Sequence, residues 1–528
     1  MCKIKKIFFL AIIFLLTACG DGLRISPSGL IYAVYEDNPY DYEPDATEVD
    51  EYIETVIIDI DPTVVAVNDS DVGLLRLHSR PPITLNPLLN EDVTVARVLR
   101  LIFEPLAVLD DELRVTGHLA DLEFASDYSS VIATIREGAI WSDGLPVTAD
   151  DVIFSVDFLR RAPRNAIYRS HVNDIASVAR LDTRTVQIFF TRAAVMMGYS
   201  LNFPIIPQHV FEGEANPIGN GSFKLEAYTP MRSMTLTRNP HSSHRSNIEQ
   251  IEVIFLPDTS TDFNAFERGR IDVLHLPLTE WTRHQMVRSP VYETFPAMYF
   301  EFIGFNYRRH IFRDVYTRRG IAHAFNAADT VAGVYLTHAV HSATPIHPLN
   351  WAAARGISPV YDPARAAALL GTVRTAEPLV IIANTENTQR ATIAHRLAQS
   401  LNTVGLEAVA EILPSAEYFA RIEAHDFDLF IGGMELPFAP DVTVFFQASE
   451  IFLHDPILET AYTALMFAST ELAYTLAKRQ LQQAFVEQLP VIGLAFKHSA
   501  LLSNSRVSSQ MSPAPCHVFG NIHEWTIR

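Results

Sequence analysis

Residues 101–161 read LIFEPLAVLDDELRVTGHLADLEFASDYSSVIATIREGAIWSDGLPVTADDVIFSVDFLRR. Within this stretch, residues 131–136 alternate apolar and polar side chains, which is typical of a strand with one buried face. Residues 142–144 (Ser-Asp-Gly) predict a turn, because Asp can bond its own backbone and Gly accepts a positive φ. Thr148 then stands where a helix N-cap is expected, with two aspartates in the first turn. The stretch therefore predicts a strand, a turn and a capped helix in succession.

The second half of this stretch also carries a family signature. Residues 137–159, EGAIWSDGLPVTADDVIFSVDFL, resemble the signature of bacterial extracellular solute-binding proteins of family 5, the dipeptide- and oligopeptide-binding lipoproteins of ABC importers. The residues in register are Trp141, Asp143, Gly144, Thr148, Ala149, Asp151 and Val152. The resemblance implies an α/β fold of the two-lobe, type II (cluster C) periplasmic-binding-protein kind. It also implies an extra subdomain in the first lobe and a hinged interlobe cleft.

The resemblance begins near residue 72, continues almost to the end of the chain, and implies a domain order. We expect the first lobe at 72–296 with an inserted subdomain at about 108–204, the second lobe at 297–488, and a return to the first lobe at 489–528. Predicted strands alternate with predicted helices, which indicates mostly parallel sheets. Ligands of such folds lie in the cleft, near the carboxyl ends of strands.

The N-terminus has the pattern of a processing signal. Three lysines precede an apolar run at residues 7–16, which is too short to span a bilayer as a stable helix. The run ends in Leu-Thr-Ala-Cys, which matches the bacterial lipobox and predicts a signal peptide at 1–18 with lipidation of Cys19. The alternative is an ordinary secretory signal with a chance cysteine. Lipidation would anchor the chain to a membrane without spanning it, which predicts an extracytoplasmic location at the cell surface or in the periplasm.

Residues 19–71 differ in composition from the rest of the chain. No Lys or Arg lies between Arg24 and Arg76, while Asp, Glu and Tyr are frequent. We interpret the segment as an acidic tether, with an acidic-aromatic partner site as the alternative. Of the three cysteines, Cys2 would leave with the signal and Cys19 would take the lipid, so that Cys516 alone remains and no internal disulfide can form.

Charge and motif content exclude several functional classes. The formal net charge of −20, from 41 basic and 61 acidic residues, argues against nucleic acid. The chain contains no GxSxG, HExxH or P-loop sequence, so we predict a protein without enzymatic activity or cofactor. The grouped histidines His338, His341 and His347 lack the spacing of a metal site, and we interpret them as surface residues.

The resemblance places several candidate ligand contacts in the first lobe. Asn90, Glu91 and Val93 map onto a loop that borders the ligand in relatives, although a plain surface loop before the next helix is the alternative. Tyr168 maps onto a ligand-facing tyrosine. Gly219 and Asn220 belong to a glycine-rich crossover, where the missing side chain lets the backbone pass close to a neighbour or to the ligand.

The second lobe supplies the remaining candidates. Phe305 and Asn306 match the family's "gfN" motif, and a predicted strand at 427–431 is followed by the segment GGMELPFAPD at 432–441. Peptide-binding relatives carry "gW.aDy.DP" there, and their first Asp pairs with the α-ammonium group of the peptide. Neither that Trp nor that Asp is present in register. The candidate contacts from this segment are Glu435, Leu436, Phe438 and Asp441.

The acidic residues of this segment leave alternatives open. Glu435 is the nearest acid that could hold the ammonium group, or it is a rim glutamate without ligand contact. Asp441 is the other candidate, or it begins a helix. Arg421 is a weak candidate for the partner of a ligand carboxylate. Residues 492–494 (Ile-Gly-Leu) stand where relatives have tyrosines, which predicts a more apolar cleft wall.

The resemblance therefore predicts a monomeric, lipid-anchored solute-binding protein of an ABC importer. Its partners would be a small peptide or similar solute, the permease subunits and the membrane. One alternative keeps the fold and changes the ligand to an opine, oligosaccharide, metal chelate or haem. Another is a ligand-sensing surface lipoprotein that is not coupled to transport.

Overall fold

The structure is a computed structural model, and it describes residues 23–25, 31–33, 73–210, 217–277, 291–447, 452, 454–508 and 510–528. The predicted signal peptide, Cys19 and most of the acidic tether lie outside these residues. Within the tether, the strands β1 (Leu23–Ile25) and β2 (Ile31–Ala33) pair antiparallel.

The remaining described residues form strands and helices that alternate over much of the chain. The strands are β3 (Leu74–Ser79), β4 (Ala107–Leu109), β5 (Val115–Gly117), β6 (Ala120–Phe124), β7 (Ser130–Ile135), β8 (Ile175–Arg180), β9 (Thr185–Phe190), β10 (Phe223–Thr229), β11 (Ser233–Arg238), β12 (Gln250–Phe255), β13 (Val273–Pro277), β14 (Val291–Phe305), β15 (Ala339–His341), β16 (Leu379–Asn384), β17 (Ala408–Leu413), β18 (Leu429–Glu435) and β19 (Ile492–Ser503). The α-helices are α1 (Val93–Leu99), α2 (Ala149–Leu159), α3 (Thr259–Glu267), α4 (Val315–Ala324), α5 (Ala327–Tyr335), α6 (Pro363–Leu370), α7 (Thr388–Thr403), α8 (Ser415–Ala424), α9 (Pro456–Met466) and α10 (Glu471–Gln488).

The strand, turn and capped helix predicted between residues 131 and 159 are confirmed as β7, a turn and α2. The backbone N–H and the hydroxyl of the N-cap residue Thr148 both donate to the Asp151 carboxylate, at 2.7 and 2.9 Å. The same carboxylate accepts hydrogen bonds from Trp141 Nε1 and from the backbone of Gln208. Gly144 has φ +91°, as the predicted turn requires. The buried carboxylate therefore fixes the start of α2 against two other segments.

Three sheets make up the two lobes. The first lobe contains the four-stranded sheet β10-β11-β12-β3 and the subdomain sheet β6-β7-β9-β8. The second lobe is built on one side of a seven-stranded sheet, in which β14-β18-β16-β17 are consecutive neighbours and β17 is the edge strand. The other edge of that sheet, β13-β19, returns to the first lobe, because β13 follows α3 directly and α3 follows β12.

The strands β14 and β19 carry the chain between the lobes side by side. Residues 291–296 of β14 pair with residues 503–498 of β19 next to β13, whereas residues 300–303 pair with 496–492 next to β18. The register shifts between Pro296 and Phe300, at the predicted boundary between the lobes. A shift in the ladder locally disrupts pairing, so this point is where two adjacent strands can bend together as a hinge.

The prediction of mostly parallel sheets is wrong. Among the described residues, parallel pairing joins β3 to β12 and β16 to both β17 and β18, and the other strand pairs are antiparallel. The physical reason is that the two long connecting strands pair with each other and with their neighbours in antiparallel fashion. The alternation of predicted strands and helices does not reveal which strands become neighbours.

Candidate functional site

The carboxyl ends of β16 and β18 meet at one edge of the second-lobe sheet. The two strands are parallel neighbours, with Ile381 opposite Leu429 and Ile382 opposite Phe430. The strand β18 extends to Glu435, which lies opposite Tyr299 of β14. Residues 432–435 are therefore part of the strand, which was predicted to end at residue 431. Carboxyl ends of strands are where open α/β sheets bind ligands.

The two glycines of β18 are required by the packing around them. A Cβ on Gly433 would lie 2.7 Å from the Tyr299 ring and 2.9 Å from Arg390 Nη2. A Cβ on Gly432 would lie 2.6 Å from the Phe430 ring. Because ordinary Cβ atoms do not approach other heavy atoms this closely, any larger residue would displace the strand or its neighbours. The family's Trp in this region has no room at Gly433.

Glu435 ends β18 with a carboxylate that is accessible to solvent. The surrounding protein partly desolvates the carboxylate, which raises the pKa of Glu435, and the positive charge of Arg97 opposes this effect. Among the described residues, no cation forms an ion pair with it. The carboxylate therefore remains free to bind a cationic group, as the sequence analysis suggested for a ligand ammonium.

A buried charge cluster lies directly beneath this strand. The Glu301 carboxylate receives two hydrogen bonds from Arg390, with Nε–Oε2 at 2.9 Å and Nη2–Oε1 at 3.1 Å. It also forms an ion pair with Lys497 of β19. Tyr299 links the cluster to β18, since its hydroxyl accepts a bond from Arg390 and donates to the Gly433 carbonyl, both at 3.1 Å.

The cluster carries one carboxylate and two cations, all of them buried. Burial alone would raise the pKa of Glu301, but Arg390 and Lys497 hold it below its ordinary value. Burial lowers the pKa of Lys497 to about 8. Glu301 and Lys497 lie on the two connecting strands, β14 and β19, and Arg390 lies on α7. The cluster therefore links both connecting strands to α7.

Arg97 of the first lobe interacts electrostatically with Glu435. Arg97 lies in the last turn of α1, and its Nη1 is 3.0 Å from His275 Nδ1. Burial lowers the pKa of Arg97, while the negative charges of Glu435 and Asp92 act in the opposite direction. Arg97 and Glu435 are therefore close enough to influence one another from opposite lobes.

The predicted loop contacts of the first lobe are divided between buried and exposed positions. Asn90 is buried. Its Nδ2 donates to the Asp92 carbonyl and its Oδ1 accepts from the Asp92 N–H. The backbone carbonyl of Asn90 accepts from the Ile167 N–H. Glu91 and Val93 are exposed beside it. Tyr168 is buried, with its ring 5.6 Å from that of His171. In this structure Asn90 shapes the loop, and Glu91 and Val93 are the members accessible to a ligand.

The glycine-rich crossover packs tightly against the segment after α1. A Cβ on Gly219 would overlap the carbonyl oxygen of Ile102, so the close approach predicted for this glycine is to another part of the chain. Asn220 is buried, and its Oδ1 accepts a hydrogen bond from the Glu104 backbone at 3.0 Å. Its Nδ2 has no hydrogen-bond partner among the described residues.

The "gfN" residues hold the beginning of β18. Phe305 is buried in the second-lobe core, with its ring 5.6 Å from that of Phe312. The Asn306 side chain donates to the carbonyls of His425 and Phe427, immediately before β18. These contacts are internal to the fold, so both residues support the strand that leads to Glu435.

The segment after β18 turns away from the sheet. Leu436 is buried, and its N–H donates to the Met298 carbonyl. Phe438 is half-buried. Asp441 accepts hydrogen bonds from the backbone and hydroxyl of Thr443 and precedes a short 3₁₀ helix, Thr443–Phe445. The N-cap residue of this helix is Val442, so Asp441 lies one position before the helix start that was one of its two interpretations.

The structure corrects the predictions for His347 and for residues 492–494, and it shows the contacts of Arg421. His347 is buried, with its ring 4.6 Å from that of Phe496, so it is not a surface histidine. Ile492 and Leu494 are buried in the second-lobe core, so they do not form the predicted apolar cleft wall. Arg421 already pairs with Glu411 and Asp426. Within the described part of the chain, no group of three His, Cys, Asp or Glu residues is arranged to hold a metal ion.

The charged residues around this site are not marked by any pattern in the sequence. Arg97 and His275 are 178 positions apart, and Glu301 and Arg390 are 89 apart. No local pattern distinguishes either arginine from one that is exposed on a helix. The one available signal was the pair of glycines in β18, which implied a crowded neighbour but did not identify it.

The comparisons with known proteins agree with the family resemblance of the sequence. The model of "Bacterial extracellular solute-binding proteins, family 5 Middle" matches residues 114–449. YgiS of Escherichia coli K12, provisionally named as a deoxycholate-binding periplasmic protein, is 25% identical over 275 residues, which cover 46% of this chain and 51% of YgiS. A protein of Brucella ovis, provisionally named as an ABC transporter peptide-binding protein, is 23% identical over 363 residues, which cover 63% of this chain and 68% of that protein.

The fold has solved counterparts. The crystal structure of CtaP from Listeria monocytogenes, an ABC transporter substrate-binding protein, superposes with a TM-score of 0.73 at 17% sequence identity, covering 86% of this chain and 98% of CtaP. The predicted fold class, a two-lobe type II binding protein with α/β architecture, is thereby confirmed. In the described part of the chain, every helix is either too short or too polar to cross a bilayer.

Proposed function

Because the chain belongs to the bacterial extracellular solute-binding proteins of family 5, we propose that it is the substrate-binding component of an ABC importer that captures peptides. The peptide would bind in the cleft between the lobes and be delivered to the permease. The observation that carries this proposal is Glu435, an accessible carboxylate at the end of β18 without an ion-pair partner among the described residues.

Glu435 would bind the α-ammonium group of the peptide. A charge-assisted hydrogen bond fixes one end of the ligand without reading its side chains, which suits a protein that accepts varied peptides. The rigid support beneath the strand favours this role, since Tyr299 and the Glu301 cluster hold the backbone of Gly433 in place. Accessible residues of the facing lobe, such as Glu91 and Val93, would complete the contacts.

Closure of the lobes would couple binding to delivery. An open state admits the peptide, and contacts made only in the closed state supply the free energy that shifts the population. The side-by-side strands β14 and β19, with their register shift at residues 296–300, would bend during this motion. The closed form would dock on the permease. Lipidation of Cys19 would keep this monomeric protein extracytoplasmic and close to the transporter.

Thermal unfolding of the purified protein with a mixed di- to hexapeptide library tests the proposal. A ligand that binds the native state must raise the unfolding midpoint by mass action. We expect a rise for the wild type and for Glu423→Gln, a control at an exposed glutamate of α8, and a much smaller rise for Glu435→Gln. A rise that survives Glu435→Gln would keep peptides but remove Glu435 from the ammonium role. If no peptide raised the midpoint, the peptide proposal would be rejected.

A second candidate function keeps the fold and changes the solute. The tryptophan and aspartate that peptide-binding relatives carry near this position are missing here, and YgiS is named for a bile acid. A non-peptide solute would therefore be captured by the same cleft. Deoxycholate, oligosaccharides, metal chelates and haem belong in the same thermal assay, and a rise with one of them but with no peptide would favour this candidate.

A further inference from the structure

The subdomain of the first lobe contacts the second lobe through residues that lie outside the connecting strands β14 and β19. Arg114 of the subdomain forms an ion pair with Glu471 of α10, with Nη1 and Oε1 at 2.7 Å. The Tyr128 hydroxyl donates to the same carboxylate oxygen at 3.1 Å. The Arg114 guanidinium also lies 4.0 Å from the centre of the Trp351 ring, which is a cation–π distance. These side chains therefore join the two lobes around Arg114 and Glu471.

Two backbone hydrogen bonds cross between the lobes beside these side chains. The N–H of Trp351 donates to the Glu112 carbonyl at 2.8 Å, and the N–H of Val195 donates to the Ala468 carbonyl at 2.9 Å. Each bond has its donor in one lobe and its acceptor in the other. Separation of the lobes breaks both bonds, so the exchange of these two amide hydrogens with solvent reports on the contact between the lobes.

The subdomain presents Arg114 and Tyr128 on strained turns. Arg114 follows Leu113 in the turn between β4 and β5, and Leu113 has φ +58°. Tyr128 lies in the turn between β6 and β7 and itself has φ +56°. Left-handed backbone is uncommon for residues other than glycine and persists where the surrounding structure requires it. Burial and the charge of Glu471 raise the pKa of Tyr128 to about 12, so its hydroxyl stays protonated and can donate.

The second lobe holds Trp351 and Glu471 on one rigid support. Glu471 is the first residue of α10, and Trp351 stacks on Tyr474 of that helix, at 5.4 Å between ring centroids. Lys478 of the same helix donates from Nζ to Asn350 Oδ1 at 2.6 Å, immediately before Trp351 in the chain. The loop that carries Trp351 and the helix that carries Glu471 are therefore fixed to each other.

The contact between the subdomain and the second lobe is loosely packed. A cavity of about 290 Å³ lies beside it, lined by residues of both lobes that include Thr116, Tyr199 and Trp351. The side chains of Arg114 and Glu471 are 40% and 48% exposed. Protein cores, by contrast, contain few voids larger than a water molecule. The two surfaces can therefore separate and meet again without breaking the core of either lobe.

We propose that this contact is a latch that holds the cleft closed, and that its strength sets the fraction of molecules in the open state. The latch consists of Arg114 and Tyr128 of the subdomain and Trp351 and Glu471 of the second lobe. Bending at the register shift of β14 and β19 would separate the two halves of the latch. A contact made only in the closed state lowers the open population, whichever solute the cleft takes. The inference goes beyond the proposed function, since none of the four residues belongs to the candidate site.

Hydrogen–deuterium exchange of the purified protein, read by mass spectrometry, tests the latch without any ligand. When opening and closing are fast, an amide protected by a bond between the lobes exchanges in proportion to the open population. Arg114→Gln removes the ion pair and the cation–π contact, so we expect exchange at Val195 and Trp351 to become about 3- to 30-fold faster. Glu471→Gln keeps the cation–π contact and should give a smaller increase, of about 2- to 5-fold.

Charge reversal distinguishes an ion pair between the lobes from a merely structural role. Arg114→Glu places two carboxylates together and should accelerate exchange at Val195 and Trp351 more than Arg114→Gln does. Adding Glu471→Arg restores opposite charges, so the double variant should exchange more slowly than Arg114→Glu alone. A double variant that exchanges no more slowly than Arg114→Glu would show that the two charges do not act on each other, and the latch would be overturned.

Controls separate opening of the cleft from loss of stability. Arg136→Gln removes an exposed ion pair with Asp121 inside the subdomain and should leave exchange at Val195 and Trp351 unchanged. The amides of β7, which bond within the subdomain sheet, should exchange at the wild-type rate in every variant. If Arg114→Gln accelerated β7 equally, or did not accelerate Val195 and Trp351 more than Arg136→Gln does, the latch would be rejected. Neither result bears on peptide binding, so failure of the latch is distinguishable from failure of the proposed function.

Discussion

Asp151 and Glu435 are carboxylates at the ends of regular elements, but their surroundings are opposite. Asp151 is buried at the start of α2 and accepts four hydrogen bonds, from Thr148 N and Oγ1, Trp141 Nε1 and Gln208 N. Glu435 is accessible at the end of β18 and has no ion-pair partner among the described residues. A buried carboxylate whose acceptors are all used specifies the fold, whereas an accessible one with free acceptors is available for recognition.

Glu301 represents a third environment between these two. It is fully buried, as Asp151 nearly is, but its partners are two cations instead of neutral donors. A buried ion pair adds little net stability compared with apolar packing, yet breaking it leaves an uncompensated charge. We therefore predict that the loss of unfolding free energy on substitution is largest at Glu301, smaller at Asp151 and smallest at Glu435.

The largest effect is expected at Glu301. Glu301→Gln removes the only carboxylate that faces Arg390 and Lys497 in this cluster, so two buried cations lose their counter-ion. We expect the free energy of unfolding to fall by about 3–5 kcal/mol, measured by urea denaturation. Adding Lys497→Met should restore part of the loss, because one of the two cations is removed. A loss below about 1 kcal/mol would show that the charges find water or other partners.

Asp151→Asn should have the next largest effect. The substitution keeps the shape of the side chain but replaces one acceptor oxygen with an amide that donates, so buried donors lose their acceptor. We expect a destabilisation of about 2–3 kcal/mol in the same denaturation assay. The matched control is Asp150→Asn at the neighbouring position, where the partner Arg180 is half-exposed and the loss should stay below about 1 kcal/mol. Equal effects at the two positions would contradict this account of the capped helix.

A substitution at Lys478 is expected to stabilise the protein, in contrast to Glu301→Gln and Asp151→Asn. Its ammonium group is buried in α10, its Nζ donates to Asn350 Oδ1 at 2.6 Å, and no carboxylate faces it within the described residues. Burial therefore lowers the pKa of Lys478 well below its ordinary 10.5. Lys478→Met should raise the free energy of unfolding at pH 7 by about 1–2 kcal/mol, because a desolvated amine is replaced by an apolar side chain of similar length.

The pH dependence of that gain follows from the direction of the pKa shift. Between the folded pKa and about 10.5, the unfolded chain binds more protons at Lys478 than the native state does, so wild-type stability rises with pH. The Lys478→Met variant lacks this pH-dependent contribution to stability. The difference between the two proteins should therefore shrink as the pH approaches about 10.5. A difference that stays constant from pH 7 to that value would argue that Lys478 is not desolvated in solution.

The parts of the fold that sequence could predict are those fixed by local chemistry. Thr148 and the aspartates that follow it predicted the start of α2. These features depend on residues within one turn of each other. The pairing of β14 with β19 could not be predicted, because it joins segments about two hundred residues apart and no hairpin turn links them.

The candidate site likewise contains residues that could be predicted from the sequence and residues that could not. Glu435 could be selected from sequence because the resemblance aligned residues 432–441, which follow the predicted strand, with a segment that binds the ligand in relatives. The strand was predicted to end four residues too early, since two consecutive glycines are typical of loops, but here the ladder to Tyr299–Phe305 holds them extended. The contact between Arg97 and His275 could not be predicted, because the two residues are 178 positions apart and no local pattern links them.

Glu435→Gln should have the smallest effect on stability, and this makes it the sharpest test of the comparison with Asp151 and Glu301. The side chain is accessible and has no ion-pair partner among the described residues, so its neutral isostere should change the free energy of unfolding by no more than about 0.5 kcal/mol. The same variant is expected to lose most of its response to peptides. Urea denaturation without ligand and thermal shift with peptides, done on one preparation, separate the two effects. A loss of stability comparable to that of Asp151→Asn would place Glu435 among the residues that hold the fold, whereas unchanged stability with lost binding would make it a recognition residue.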